Sequence, residues 1–396
     1  MQLPPGTRLK QQRYEIETTL GQGGFGITYR GIDRLHSLRV AIKENWPDSA
    51  VRQGTTVIWM RENEEKKQEQ LQKFKNEAKY LSKCIHPNIV RVYDWFEEND
   101  TAYTVMSFIQ GKSLWDLFLE NGRFPIDRWL RYLLQVAAAL QVIHGKNLLH
   151  RDIKPENILI DSRDRAILID FGAMREYQAR KTGKMTAILT PAYAPIEQYS
   201  TTGKHDPAID IYALCASMYH LLTGYPPAEA PDRISSDRLI PPSQLVNVDS
   251  RLEKILLIGM ARDRESRFQS AGKLMECLNG FNIVGTARLV YLHLGFDAFE
   301  FEISGDRAII GRSDSQTGAV DIDLNHFRDR DSISRRHGEL YKEGDRWKVR
   351  DLGSTNHIYI KRSGGSQFSP KIAVPEFVNS GDEISFGKIR FLFQIF

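Results

Sequence analysis

The stretch "HRDIKPEN", residues 150–157, places Asp152 two positions before Lys154 and five before Asn157. An acid, a cation and an amide this close can decorate any surface turn, so their meaning comes from what stands on either side. Upstream lie "LGQGGFGIT", residues 20–28, with Gly21, Gly23 and Gly26 in a GxGxxG spacing, and "VAIK", which ends at Lys43. Downstream "DFG" begins at Asp170. Glycines in a hairpin turn are commonplace, and the first of these motifs alone decides little. Four motifs in a fixed order decide far more.

The texture of the chain changes around them. Residues 14–43 alternate and are rich in β-branched and aromatic types, which reads as antiparallel strands. Over residues 61–83, Leu71, Phe74, Ala78 and Leu81 step by three and four, the period of an amphipathic helix with its charge on the other face. Strands fit 90–96 and 101–108, and helices then fit 126–145, 207–223, 249–262 and 270–278. From Ala287 onward short alternating segments such as "ARLVYLHLG", "RWKVRD" and "KIRFLFQIF" are separated by Gly, Asp and Ser turns, as in an all-β sandwich.

The ordered motifs resemble the signature set of the protein kinases, specifically the Hanks-type (eukaryotic-like) Ser/Thr kinases of bacteria. The resemblance implies an α+β bilobal protein-kinase fold over residues 14–278, with a small lobe 14–106 and a large lobe 109–278. It further implies an ATP site formed by Leu20, Gly21, Gly23, Gly24, Phe25, Gly26, Thr28, Ala41, Lys43, Met106, Phe108 and Leu159. The glycines let backbone approach the phosphates, and Lys43 offers them a point charge held by a carboxylate. Glu77, beside the apolar stripe of the 61–83 helix, is the preferred partner over Glu64, Glu65 and Glu69. By the same resemblance Asn157 and Asp170 hold Mg²⁺, with Mn²⁺ as an alternative, Asp152 takes or orients the substrate hydroxyl proton, and Lys154 steadies the γ-phosphate. His150 is expected to be a packed imidazole, and Asp210 to brace the loop that carries Asp152. Because Arg151 precedes Asp152, phosphorylation at Thr186, with Thr182 as second choice, is expected to order the segment that follows Asp170.

Three features depart from the family pattern. "PIE" at 195–197 stands where Ala-Pro-Glu is usual, yet Glu197 keeps its spacing from Thr190 and is expected to pair with Arg267. Thr28 replaces a valine. The 34 positions between Lys43 and Glu77 leave room for an insertion, "NWPDSAVRQGTTVIW", packed on the small lobe without an assigned role.

The β-rich tail contains "IIGRS" (309–313), "ISRRHGEL" (333–340), "DLGSTNHIYI" (351–360) and "SGDEISFG" (380–387). In this order they resemble the forkhead-associated (FHA) domain, a sandwich whose loops read phosphothreonine, and the match spans 287–396. A phosphate needs charge-assisted and hydroxyl donors on a rigid scaffold. The resemblance assigns these to Arg312, Ser334, Arg335, Thr355 and Asn356, and makes His337 a brace between loops. His357 and Lys361 stand where glycine and asparagine are usual. A linker at 279–286, about eight residues, reaches on the order of 16 Å, so the module is expected to meet the kinase's own phosphorylated segment only in another molecule.

Composition sets the outer limits. The 396 residues are 41% hydrophobic and 26% charged with a net charge of +4. Lys plus Arg and Asp plus Glu number 16 each over residues 281–396, which leaves 38 against 34 before them, so neither part has the basic excess of a nucleic-acid binder. Cys84, Cys215 and Cys277 are scattered and form no CxxC, which argues against a disulfide framework or zinc site. No apolar run is long enough to span a membrane, and a cytoplasmic protein is expected. The expected partners are proteins with Ser or Thr to modify and proteins bearing phosphothreonine, with no nucleic acid and no membrane. The competing reading is a pseudokinase scaffold that binds phosphothreonine without transferring phosphate.

Overall fold

The computed structural model describes residues 2–23, 26–47, 50–60, 64–172, 174–176, 190–200, 205–234, 236–278, 281, 287–292, 300–303, 306–313, 320–344 and 346–395. Thr182, Thr186, Gly24, Phe25 and nearly all of the 279–286 linker lie outside these residues. Contacts divide the chain into two units, Met1–Gly280 and Phe281–Phe396.

The first unit opens with a six-stranded antiparallel sheet in the order β1-β2-β3-β4-β8-β7. Its strands are β1 (Arg8–Leu9), β2 (Tyr14–Gly23), β3 (Gly26–Asp33), β4 (Leu38–Glu44), β7 (Val92–Glu98) and β8 (Thr101–Ser107). A separate hairpin, β5 (Ala50–Gln53) and β6 (Thr56–Trp59), is made by the sequence expected to be an insertion. Helix α1 (Glu64–Leu81) follows and buries the predicted stripe of Leu71, Phe74, Ala78 and Leu81. The small lobe reaches further toward the N-terminus than residue 14: β1 pairs with β2, and Leu3 and Leu9 are buried in the same core as Tyr14, Tyr29, Val57 and Tyr103. The alternation that marks β2 to β4 is too short around residues 3–9 to have shown this.

The large lobe begins with β9 (Gly111–Ser113) and α2 (Leu114–Asn121). Sequence periodicity did not pick out α2 because only Leu114 is buried. Its signal was the capping box: Ser113 Oγ accepts from the Asp116 amide while Asp116 accepts from the Ser113 amide. Then come α3 (Ile126–His144), β10 (Leu148–Leu149), β11 (Ile158–Asp161), β12 (Ala166–Leu168), β13 (Arg175–Glu176), α4 (Ala208–Thr223), α5 (Ser250–Gly259) and α6 (Ala271–Leu278). Every residue of α4 is buried, so it is the central post of the lobe rather than a surface amphipath. No helix among the described residues is long and apolar enough to cross a membrane.

The second unit is two five-stranded sheets packed on one core. One contains β14 (Ala287–Tyr291), β15 (Glu300–Ile303), β20 (Ile358–Lys361), β22 (Glu383–Phe386) and β23 (Ile389–Ile395). The other contains β16 (Arg307–Gly311), β17 (Ile322–Asp323), β18 (Arg336–Glu343), β19 (Arg346–Asp351) and β21 (Glu376–Phe377). Leu289, Ile310, Leu340, Trp347, Phe386 and Phe391 are among the side chains that fill the space between them.

Candidate functional site

Strand β4 carries Lys43 into a nearly closed position, where its Nζ donates to Asp170 Oδ1 at 2.7 Å and to Glu77 Oε1 at 3.2 Å. Burial alone would push the ammonium toward neutrality, but the Asp170 and Glu77 carboxylates outweigh it and raise its pKa. Asp170 responds in the opposite sense: burial disfavours its charge, yet Lys43 holds it ionised below the usual carboxylate range. Glu77 occupies this place because it lies between Phe74 and Ala78 on the buried side of α1. Glu64 and Glu69 are exposed and pair with Lys67 and Lys73, and Glu65 is exposed as well.

The loop around Asp152 is fixed from below. Asp210, fully buried in the first turn of α4, accepts from the His150 amide at 2.9 Å and the Arg151 amide at 2.8 Å. His144 Nε2 lies 2.8 Å from the same carboxylate. Burial opposes the Asp210 charge, but these partners, His144 foremost, hold its pKa low. His144 escaped the sequence reading; its signal was a histidine at the end of a helix whose other inward positions are apolar or aromatic apart from Gln135. His150 is buried against Phe171, ring centroids 4.6 Å apart, and burial pushes its pKa down, which keeps it a neutral packing group. Arg151 and Asp170 adopt φ of 71° and 55°, left-handed values that cost a non-glycine residue about 1–3 kcal/mol and persist only where the surroundings enforce them.

On that base Asp152 gathers three groups. Its Oδ1 accepts from Thr190 Oγ1 at 2.9 Å, its Oδ2 lies 2.9 Å from Lys154 Nζ, and Asn157 Nδ2 donates to its backbone oxygen at 2.8 Å and its Oδ2 at 3.0 Å. Lys154 also donates to Thr190 Oγ1 at 3.1 Å. Since the Asn157 amide nitrogen is committed to Asp152, its carbonyl oxygen is the end left for a cation. Glu197 meets Arg267 at 2.6 Å, and Arg267 is completely buried.

Several of the expected nucleotide residues lie on neighbouring strands of the small lobe. Thr28 is paired in register with Lys43, and Ala41 with Met106. The Ser107 amide donates to the Arg91 carbonyl at 2.8 Å, so Ser107 has no N–H to offer and Phe108 is the next that can. Leu159 is half-buried on β11, and Leu20 is exposed. Gly21 and Gly23 have nothing within 4 Å of where a Cβ would stand. Gly26 differs: at φ 126° a Cβ there would lie 2.1 Å from the Glu44 carbonyl, so only glycine lets the hairpin close against β4.

In the second unit a bulge at Gly311 turns β16 toward the 334–336 loop, and the Arg312 amide donates to the Arg335 carbonyl at 3.1 Å. The Arg312 guanidinium is half-buried, 3.8 Å from Asp331. Ser334 Oγ accepts from the Thr355 amide at 3.1 Å, and Asn356 Nδ2 donates to the Ser332 carbonyl at 3.0 Å. His337 is fully buried: its Nδ1 accepts from the Ser334 amide at 3.1 Å and its Nε2 donates to the His357 carbonyl at 3.0 Å. Burial pushes its pKa down, so one neutral tautomer ties two loops together. His357 takes φ 57° where glycine is usual, and Lys361 is tied to Glu383 on the neighbouring strand. Arg335 and Arg336 are exposed.

A protein lysine held between a helix carboxylate and a second acid, above a buried-aspartate-braced loop, defines a member of the protein kinases, and the family model for the protein kinase domain matches residues 14–255. The chain belongs to that family, and a second model, the FHA domain, matches residues 308–387. Among its relatives, Serine/threonine-protein kinase pkn2 of Myxococcus xanthus is 32% identical over 292 residues, covering 70% of this chain and 33% of its own length. Serine/threonine-protein kinase PknD of Mycobacterium tuberculosis is 32% identical over 275 residues, covering 66% of this chain and 38% of its own. A solved structure titled "PpkA-294 apo form" superposes with a TM-score of 0.61 at 32% identity, over 70% of this chain and 99% of that one. The chain thus spans less than half the length of the curated relatives it matches.

Proposed function

We propose that this chain transfers the γ-phosphoryl group of ATP to Ser and Thr hydroxyls of proteins, and that its C-terminal module binds phosphothreonine in partners. One observation carries the enzymatic reading: Lys43 is already engaged by both Glu77 and Asp170 while Asp152, Lys154 and Asn157 share one braced loop. In the reaction, the substrate hydroxyl oxygen forms a bond to the γ-phosphorus, the bridging β–γ P–O bond breaks, and ADP leaves with the bond's electron pair. The hydroxyl proton passes to the Asp152 carboxylate, which Lys154 and Asn157 hold in position. Lys154, beside Asp152 and Thr190, would steady the γ-phosphate in this reading.

The donor set suits a hard divalent cation. The Asp170 carboxylate and the Asn157 carbonyl are oxygens, and Mg²⁺ needs few protein ligands when phosphates supply the rest. Mg²⁺, or Mn²⁺ in its place, would be held by these two and would neutralise phosphate charge as it is redistributed. Thr190, which bonds both Lys154 and Asp152, fits a Ser/Thr acceptor. For the second unit, Arg312, Ser334 and Arg335 on two adjacent loops, with Thr355 and Asn356 on a third, support capture of a phosphate and its peptide. Phosphorylation at Thr186, or at Thr182, and its recognition by a second molecule's FHA module remain part of this proposal.

Phosphotransfer from ATP to a Ser/Thr-containing protein is expected for the wild type and is expected to vanish in Asp152→Ala. Equal background signals from both would favour the pseudokinase scaffold. A phosphothreonine peptide should bind the full chain and lose affinity with Arg312→Ala; binding indifferent to the phosphate would remove the second half of the reading.

A further inference from the structure

The hairpin β5–β6 fills the extra length between Lys43 and Glu77, and it touches the element that carries each of them. At one end Arg52 meets Glu44, the residue after Lys43. Glu44 is fully buried, and its carboxylate accepts from Tyr29 Oη at 2.7 Å, Tyr103 Oη at 2.9 Å and Arg52 Nη2 at 2.6 Å. Arg52 is the cation the structure gives to that buried charge, and its position is set by Trp46, whose ring lies 4.7 Å beneath the guanidinium, and by the Thr55 carbonyl at 2.8 Å. A buried carboxylate without a cation would be costly to keep ionised, so this pair is a strong tie.

At the other end Trp59 reaches α1. Its ring packs against the main small-lobe core and also against the cluster of Leu71, Phe74 and Ala102. Its Nε1 donates to the Asp100 carbonyl at 3.0 Å, and Lys67 of α1 donates to the Asp100 side chain at 2.6 Å. The Val57 amide donates to the Asn99 carbonyl at 2.9 Å. The β7–β8 turn is therefore a shared anchor for hairpin and helix.

We propose that this hairpin is a built-in brace that positions Glu77 against Lys43, with Arg52 and Trp59 as positioning residues for the transfer reaction. The inference rests on the phosphotransfer reading for its kinetic consequence, though not for its structural one. The lever is short. Leu71 and Glu77 are separated by six residues, about 9 Å of helix, so a tilt of about 15° at Leu71 displaces Glu77 by roughly 2 Å. That is enough to turn a 3.2 Å contact into a broken one. Phe74, which shares the cluster with Trp59, lies one turn from Glu77.

A double-mutant cycle on the full chain separates this from a merely structural role. Trp59→Ala is expected to lower kcat about tenfold in the wild-type background and less than twofold in Glu77→Gln, because the brace acts through that one carboxylate. Equal losses in both backgrounds, or no loss in either, would overturn the proposal. Amide exchange gives a readout that needs no activity: α1 should lose protection in Trp59→Ala while α3 keeps it. Unchanged protection of α1 refutes the brace even if no phosphate transfer is ever seen, and a wild type without transfer would sink the enzymatic reading alone. Should Trp59→Ala fail to fold, Trp59→Leu keeps an apolar side chain there but removes the ring and its Nε1 bond to the Asp100 carbonyl, and the same two measurements decide the outcome.

Discussion

Gly311→Ala should disable the loops proposed to bind phosphothreonine while leaving Arg312 in the sequence. A Cβ at this position would stand 2.0 Å from the Arg335 carbonyl oxygen, 2.8 Å from the Arg335 carbonyl carbon and 3.1 Å from the Ser334 oxygen. All three are backbone atoms, so no side chain can swing away. Ordinary contact between carbon and oxygen needs about 3.2 Å, which obliges the two loops to separate by about 1.2 Å. Opening Arg312 from Ser334 and Arg335 by that amount takes a charge-assisted hydrogen bond of about 2.8 Å to about 4 Å, beyond bonding distance. Each such bond to an ionised group contributes about 1.5–3 kcal/mol, so affinity for a phosphothreonine peptide should fall by roughly 10- to 150-fold. The overpacking should also cost the sandwich about 1–3 kcal/mol. Calorimetric titration of the full chain with phosphorylated and unphosphorylated peptide, alongside thermal melting, reads both effects. Wild-type affinity in Gly311→Ala would refute the premise that the approach of these two loops creates the phosphate site.

Further outcomes follow from buried polar groups. Arg267→Met leaves Glu197 without its cation in a nearly closed position and should destabilise the kinase unit by about 3–5 kcal/mol, visible as a lower melting temperature; a shift under one degree would contradict the pairing. Asp210→Asn places an NH₂ group where the His150 and Arg151 amides now donate; kcat should drop at least tenfold with the KM for ATP little changed, by steady-state kinetics. His337 has a depressed pKa in the folded state, so its neutral form brings no penalty above about pH 6.5, and as pH falls below that value the unfolded chain gains the proton first. Stability of the second unit should then decline by up to about 1.4 kcal/mol per pH unit. Amide protection factors across residues 333–340 should fall by up to about tenfold from pH 6.5 to 5.5, and His337→Gln should flatten that response.

Much of this architecture was legible because the deciding features are local. The α1 stripe and the alternation of the C-terminal strands sit within windows of ten to twenty residues, and the order of four short motifs named the fold. Glu77 was legible by its side of a helix. The small-lobe N-terminus was not, since Leu3 and Leu9 join a core whose other members come from β2 to β8, and two leucines among prolines carry no period. The hairpin was visible as extra length only. Its purpose depends on Arg52 meeting Glu44 and on Trp59 meeting α1, contacts made across the fold that no spacing rule reports. His144 was hidden for the same reason: its partner Asp210 stands on another helix.

The buried Glu44 carboxylate has a practical consequence for anyone cutting the gene. Tyr29, which donates to Glu44, also accepts the Leu3 amide at 3.1 Å, and Lys10 reaches across to Asp94 at 2.6 Å. An expression clone begun at Tyr14, where the family match starts, would strip the cover from this hub and let water reach its hydroxyls. Such a fragment should express poorly or melt early, and an inactive product from it would say nothing against the enzyme.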